Sequence, residues 1–142
     1  MPTVRIIADY AANGFLLADA DARAIGHLPI DDDLLTRLAA WNDRYEACDP
    51  QAFEDISGSC FDFVRFAADG LALAQAIKRA LPRWTVRFWD DALDWFLARD
   101  PRTYDPTRAE YEVTLKDALA ARPGAAQRLS IAYYVGSSRH YS

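Results

Sequence analysis

The 142-residue chain carries 21 Asp and Glu against 16 Lys and Arg, a formal net charge of −5, and 51% of its residues are hydrophobic. That length suits one domain, since domains cluster near about 100–150 residues, and the mix of apolar and charged side chains excludes a disordered chain. No apolar run reaches the ~18–20 residues of a membrane span, and the negative balance opposes nucleic-acid binding, which depends on a cationic footprint.

The first run, Thr3-Val4-Arg5-Ile6-Ile7-Ala8-Asp9-Tyr10, places Val4, Ile6, Ala8 and Tyr10 on one face at period two, which predicts a strand. Asn13-Gly14 marks a turn, and residues 18–30, with Gly26 and Pro29 and no sustained period, read as a connecting loop. Leu34, Leu38, Trp41, Tyr45 and Cys48 follow at helical spacing and predict a helix with one face toward a core. Asp31 is its expected cap, with Asp32 and Asp33 at the positive end of the helix dipole. Asp49-Pro50 stops this helix and can start a short one before Ser57-Gly58-Ser59 breaks the chain.

A second long helix is expected from near Ser59, where Ser59 and Asp62 have the spacing of a capping box, up to Pro82. Its apolar stripe is Phe63, Ala67, Gly70/Leu71, Ala74, Ile77 and Leu81, and Gly70 suits close approach to another element. Residues 84–89 alternate as a strand, and Asp90 or Asp91 then caps a short helix through Leu93, Phe96 and Leu97, ended by Asp100-Pro101. Residues 110–116 alternate strictly and favour a strand, with a helix over 106–121 as the alternative. Arg122-Pro123-Gly124 reads as a turn, and Leu129, Ile131, Tyr133 and Val135 as a last strand before a polar tail at 136–142. The expected fold is a single α+β domain over 1–142, in two layers. About four strands, mostly antiparallel, pack against two long amphipathic helices. Thr3-Val4-Arg5 recurs as Thr85-Val86-Arg87, but the similarity does not extend into a repeat.

Several of these segments carry a resemblance. They are Val4 to Tyr10, Leu28-Pro29-Ile30, the run Asp33 to Asp43 with its leucines and Trp41, Asp69-Gly70-Leu71-Ala72-Leu73, and Leu81 to Val86. Together, over residues 3–45 and 63–89, they resemble a group of small uncharacterised bacterial α+β proteins. This chain has Gly14-Phe15-Leu16-Leu17 where that group has a proline-leucine-tryptophan segment. The resemblance implies a fold and brings no catalytic residues with it. In size and acidity such proteins are similar to toxin-neutralising immunity proteins, an analogy of kind and not of site.

The charge is unevenly distributed. Residues 1–62 hold twelve acids and four Arg, net −8; residues 63–142 hold nine acids and twelve Lys or Arg, net +3. An acidic stretch from Asp19 to Asp62 can steer a basic partner, or simply be a solvated face. The excess of Arg over Lys, fourteen to two, and the 26 Ala also match the codon bias of a GC-rich bacterial genome, so not every Asp implies chemistry.

Candidate chemistry is sparse. Asp90-Asp91-Ala92-Leu93-Asp94 has the D-D-x-x-D pattern of a metal–diphosphate motif, and helical spacing would put Asp91 and Asp94 on one face, making them weak metal candidates. Capping of the helix after the strand is the simpler role for Asp90 and Asp91. The same holds for Asp31-Asp32-Asp33, whose consecutive side chains diverge. Cys60 sits near a predicted helix N-terminus, where a thiolate is favoured, but the only histidines are His27 and His140, and the small buried hydrophobe is the commoner role. Two histidines, with Cys48 and Cys60 as the only thiols, give no zinc spacing, and no Gly-x-Ser-x-Gly or P-loop is present. Both cysteines are expected to be reduced. The densest chemical feature is aromatic: Trp84, Phe88, Trp89, Trp95 and Phe96 fall within thirteen residues, and an exposed Trp there can anchor a partner.

These features lead to the expectation of a non-catalytic, cytoplasmic bacterial protein that binds a protein partner, a basic one if the acidic stretch steers it, in an immunity-like or regulatory role. The expected contact residues are Asp31, Asp32, Asp33, Asp43, Glu46, Trp89 and Trp95; no cofactor, nucleic acid or membrane is expected. The start, Met1-Pro2-Thr3-Val4-Arg5, lacks the charged and apolar regions of a secretory signal. The alternative is a small enzyme or ligand-binding module with an aromatic and Asp-lined pocket around residues 84–96.

Overall fold

The computed structural model describes residues 1–10, 12–48 and 62–121. The first strand, β1 (Thr3–Ile6), is shorter than its alternation predicts. It stops where other partners take its backbone groups. The Ile7 N–H donates to the Gly14 carbonyl at 3.0 Å. The Asp9 N–H donates to Asn42 Oδ1 at 2.9 Å, and Asn42 Nδ2 donates back to the carbonyls of Asp9 and Ala12. Asn42 is fully buried, so these bonds pin the loop after β1 onto the helix that carries it.

A three-residue strand, β2 (Phe15–Leu17), follows and is too short to announce itself by alternation. Gly14 before it has φ +90, and a Cβ there would lie 2.8 Å from the Leu38 carbonyl oxygen, so both conformation and space require glycine. The predicted loop over 18–30 contains a helix, α1 (Ala20–Ile25), capped by Asp19, whose carboxylate accepts the N–H groups of Ala22 and Thr3. Only Ala22 of this helix is buried, which is why no apolar stripe marked it.

The two long helices are α2 (Asp32–Cys48) and α3 (Phe63–Ala80). Asp31 caps α2 as expected, its Oδ1 accepting the Leu34 N–H at 2.7 Å. Asp62 itself caps α3, accepting the Arg65 N–H at 3.0 Å, so the helix starts after it and not near Ser59. Then come β3 (Thr85–Trp89) and α4 (Asp91–Ala98), with Asp90 as the cap. Residues 110–116 divide: a 3-10 turn at Pro106–Ala109 leads into β4 (Glu110–Glu112), and Thr114 caps α5 (Leu115–Ala120). The strand and helix patterns overlapped there because each describes half of the segment. The predicted short helix after Asp49, the turn at Arg122, the strand over 129–135 and the tail at 136–142 lie outside the described residues.

The architecture is α+β, with a four-stranded mixed sheet in the order β2-β1-β3-β4. Two of its three pairings are antiparallel, and β1 runs parallel to β3. The two copies of Thr-Val-Arg are direct neighbours: Thr3 pairs with Thr85, Val4 with Val86 and Arg5 with Arg87. Period two sends Val4, Ile6, Val86 and Phe88 inward, all fully buried, against Leu38 and Trp41 of α2 and Phe66 and Ile77 of α3. Trp41 stacks on Phe66 at 4.5 Å between ring centroids and donates its indole N–H to the Phe66 carbonyl. Gly70 makes room for this ring, because a Cβ there would be 2.7 Å from Trp41 Cε2 and 2.9 Å from Phe88 Cε1. The buried Lys78 satisfies the turn after α3 by donating to the carbonyls of Pro82 and Trp84.

Candidate functional site

Beyond the C-terminal ends of β1 and β3 the chain parts company with itself. After β1 it loops back through Ile7, Ala8 and Asp9 toward β2, and after β3 it turns into α4. Divergence of two parallel neighbours opens a crevice outside their carboxyl ends, the usual place for binding in sheets with parallel strands. Here the crevice is a cleft of about 330 Å³, lined by Asp9 beyond β1, Tyr45 of α2, Trp89 of β3, and Asp91, Asp94 and Trp95 of α4. None of the described residues that line it is basic.

The carboxylates in it are constrained differently. Asp91 Oδ1 accepts the Trp89 indole N–H at 3.2 Å, whereas Oδ2 is buried and accepts no hydrogen bond from the described residues. Burial pushes the Asp91 carboxyl up to about 7, helped by the charges of Asp90, Asp94 and Asp9 and opposed by the Trp89 bond. Asp94 Oδ1 accepts the Tyr104 hydroxyl, a bond that, with lesser help from burial, pushes that phenol up to about 12. Asp90 is buried and outside this contest. Its Oδ1 caps α4 through the Leu93 N–H and its Oδ2 accepts the Tyr111 hydroxyl. Trp95 is 38% exposed, and the Arg99 guanidinium lies 5.5 Å from its ring centroid.

The predicted contact residues separate into two groups. Asp31, Asp32 and Asp33 are exposed at the N-terminal end of α2, where Asp33 pairs with Arg37 at 3.2 Å. Asp43 is exposed and Glu46 half-buried in the last turns of the same helix, about 20 Å away by helical rise. Trp89 and Trp95 meet at this second end, in the cleft with Tyr45. α4 leaves Trp89 half-buried and does not cover it.

Asp9 and Tyr45 belong to the cleft and were read from the sequence only as part of a strand and of a core stripe. Nothing local marks them, because Trp89 and Asp91, which line the same cleft, lie 44 or more residues further along the chain. Asp91 and Asp94 do share a face, as the i, i+3 spacing predicts. Among the described residues no three His, Cys, Asp or Glu side chains are gathered as a metal site. His27 is exposed with its ring against the Ile25 carbonyl. Cys48 is half-buried, and Cys60 and His140 lie outside the described residues.

Indole rings beside carboxylates thus line a cleft at the end of the sheet. Residues 2–91 match the family described as Serratia CdiI immunity protein-like, and the chain belongs to that family. It is therefore an immunity-like protein, whose work is to bind a protein partner. The matched span covers β1 to β3 and ends on Asp91, so Asp9, Tyr45, Trp89 and Asp91 fall within it and Asp94 and Trp95 beyond it. No curated protein and no solved structure matches the chain. Among the described residues, no helix is long and apolar enough to cross a membrane.

Proposed function

We propose that this chain is a cytosolic immunity protein that neutralises a toxin by binding it, without catalysis, and that the surface it uses is acidic. The observation that carries the proposal is family membership over residues 2–91. The charge layout supports the finer part. The net charge of −8 over residues 1–62, and a cleft with three aspartates and no basic side chain among its described lining residues, favour a partner that presents positive charge. In this reading the Asp31–Asp33 end of α2 attracts the partner at long range and the cleft at its other end supplies the buried contacts. Exposed charges act on encounter, whereas rings such as Trp89 and Trp95 carry affinity at short range.

The test is protection and direct binding. A cognate toxin domain is produced in a sensitive host with and without this protein, and the two purified chains are titrated by calorimetry. The expected result is survival together with a one-to-one complex whose affinity falls as salt is raised from 50 to about 300 mM. Survival without a complex, or a complex indifferent to salt, overturns the binding or the acidic-surface part respectively.

A further inference from the structure

We infer that the cleft between β1, β3 and α4 is a socket for one long-stemmed cationic side chain, a lysine or arginine, presented by the partner protein. This deepens the proposed function and rests on it.

Three independent features of the cleft converge on that occupant. The first is an unmet electrostatic demand. Asp91 Oδ2 is buried with no hydrogen-bond donor among the described residues, and an orphaned buried acceptor carries a desolvation cost that a nearby cation offsets. Nothing among the described lining residues supplies it, since none of them is basic, and Asp9 and Asp94 add like charge around the same space. The Arg99 guanidinium lies over the Trp95 ring, 5.5 Å from its centroid.

The second feature is the wall. Trp89 and Trp95 give the cleft two indole rings, the aromatic surface that attracts a cation most strongly and that also packs against an aliphatic stem. An anionic or purely apolar occupant would use the rings and leave the aspartates unpaired. A cationic head on a methylene stem uses both. The third feature is size. At about 330 Å³ the cleft is at the small end of the ~300–1,000 Å³ typical of ligand sites and has room for a lysine or arginine side chain.

The walls are also held in place before any partner arrives. The Trp89 indole is fixed by its bond to Asp91 Oδ1, Asp94 by the Tyr104 hydroxyl, and the Asp9 backbone by Asn42. A socket built on side chains already locked by neighbours costs little to organise on binding.

The experiment has two arms. In the first, the protein alone is titrated with n-butylammonium and, separately, with neutral n-butanol, while the indole N–H resonances of Trp89 and Trp95 are followed by NMR. The expected result is a saturable shift of both resonances with the ammonium and not with the alcohol, lost in Asp91→Asn. Equal responses to the two probes, or no response to either, overturn the inference. In the second arm the cognate toxin domain is titrated against wild type, Asp91→Asn, Asp94→Asn and Glu112→Gln. Both cleft variants are expected to bind at least tenfold more weakly, while Glu112→Gln, which removes the same charge from the exposed end of β4, stays within about twofold. Toxin binding unchanged in Asp91→Asn and Asp94→Asn overturns the socket and leaves the immunity function standing. Failure of the wild type itself to bind overturns both.

Discussion

Arg5 and Arg87 stand opposite each other on neighbouring parallel strands, and both reach one carboxylate, Glu110, at 2.5 and 3.3 Å. Two like charges paired across a sheet repel, so the recurrence of Thr-Val-Arg in register is tolerable only with an anion between them. Glu110→Gln should therefore cost about 1 kcal/mol, more than an ordinary surface pair, and lower Tm by roughly 2–4 °C. The loss should shrink in high salt. A Tm unchanged at low salt would mean that solvent screens the two arginines without help.

Gly70→Ala sets two effects against each other. Alanine gains about 1 kcal/mol of helix propensity over glycine in the interior of α3. The added Cβ meets Trp41 and Phe88 at under 3 Å, and overpacking a core costs about 1–3 kcal/mol. Because the obstacles are two buried rings and not flexible chain ends, the second effect wins. Thermal unfolding should show a lower Tm for Gly70→Ala, partly recovered when Trp41→Phe is added to free space.

Asp91 makes stability depend on pH in the direction opposite to an ordinary carboxylate. Its folded-state value of about 7 lies above the usual ~3.9 of an unfolded aspartate, so between these limits the unfolded chain releases a proton that the folded one keeps. The stabilisation is complete below about pH 4 and is lost as pH rises toward 7, a total on the order of 4 kcal/mol. Asp91→Asn removes the dependence. Denaturant unfolding should find it equal to wild type at pH 4 and clearly more stable at pH 8; a variant less stable at pH 8 would show that the ionised carboxylate is welcome where it sits.

Asp32 and Asp33 test steering separately from contact. The double variant Asp32→Asn/Asp33→Asn leaves the Asp31 cap of α2 in place. Against the toxin domain it should slow association by roughly two- to fivefold and flatten its salt dependence, with dissociation unchanged. Stopped-flow association and surface-immobilised dissociation measure the two rates. A change confined to dissociation would place these residues in the contact itself.

How far each element could be read from the sequence follows from how locally it is specified. Asp31 and Asp90 were legible as caps because a cap is a contact between residues three apart. The α2 and α3 stripes and the alternation of 84–89 were legible because burial imposes a period on consecutive residues. β2 and α1 were not, being three and six residues long with little buried surface of their own. The Glu110–Lys116 segment gave two overlapping periods, and only packing of α5 against α3 decided where one ended.

The cleft divides in the same way. Composition and spacing by themselves determined that acids are concentrated in the early half of the chain, that tryptophans are concentrated near residue 89, and that Asp91 and Asp94 share a helical face. Which acids meet which rings depended on the parallel pairing of β1 with β3, a contact across more than eighty residues. Tertiary structure alone brought Asp9 and Tyr45 to Trp89 and Asp91 and left the Asp31–Asp33 triplet at the opposite end of α2. The physical reason is that helix and strand periods act over a few residues, whereas a binding surface is fixed by strand register and by the loops that leave the sheet.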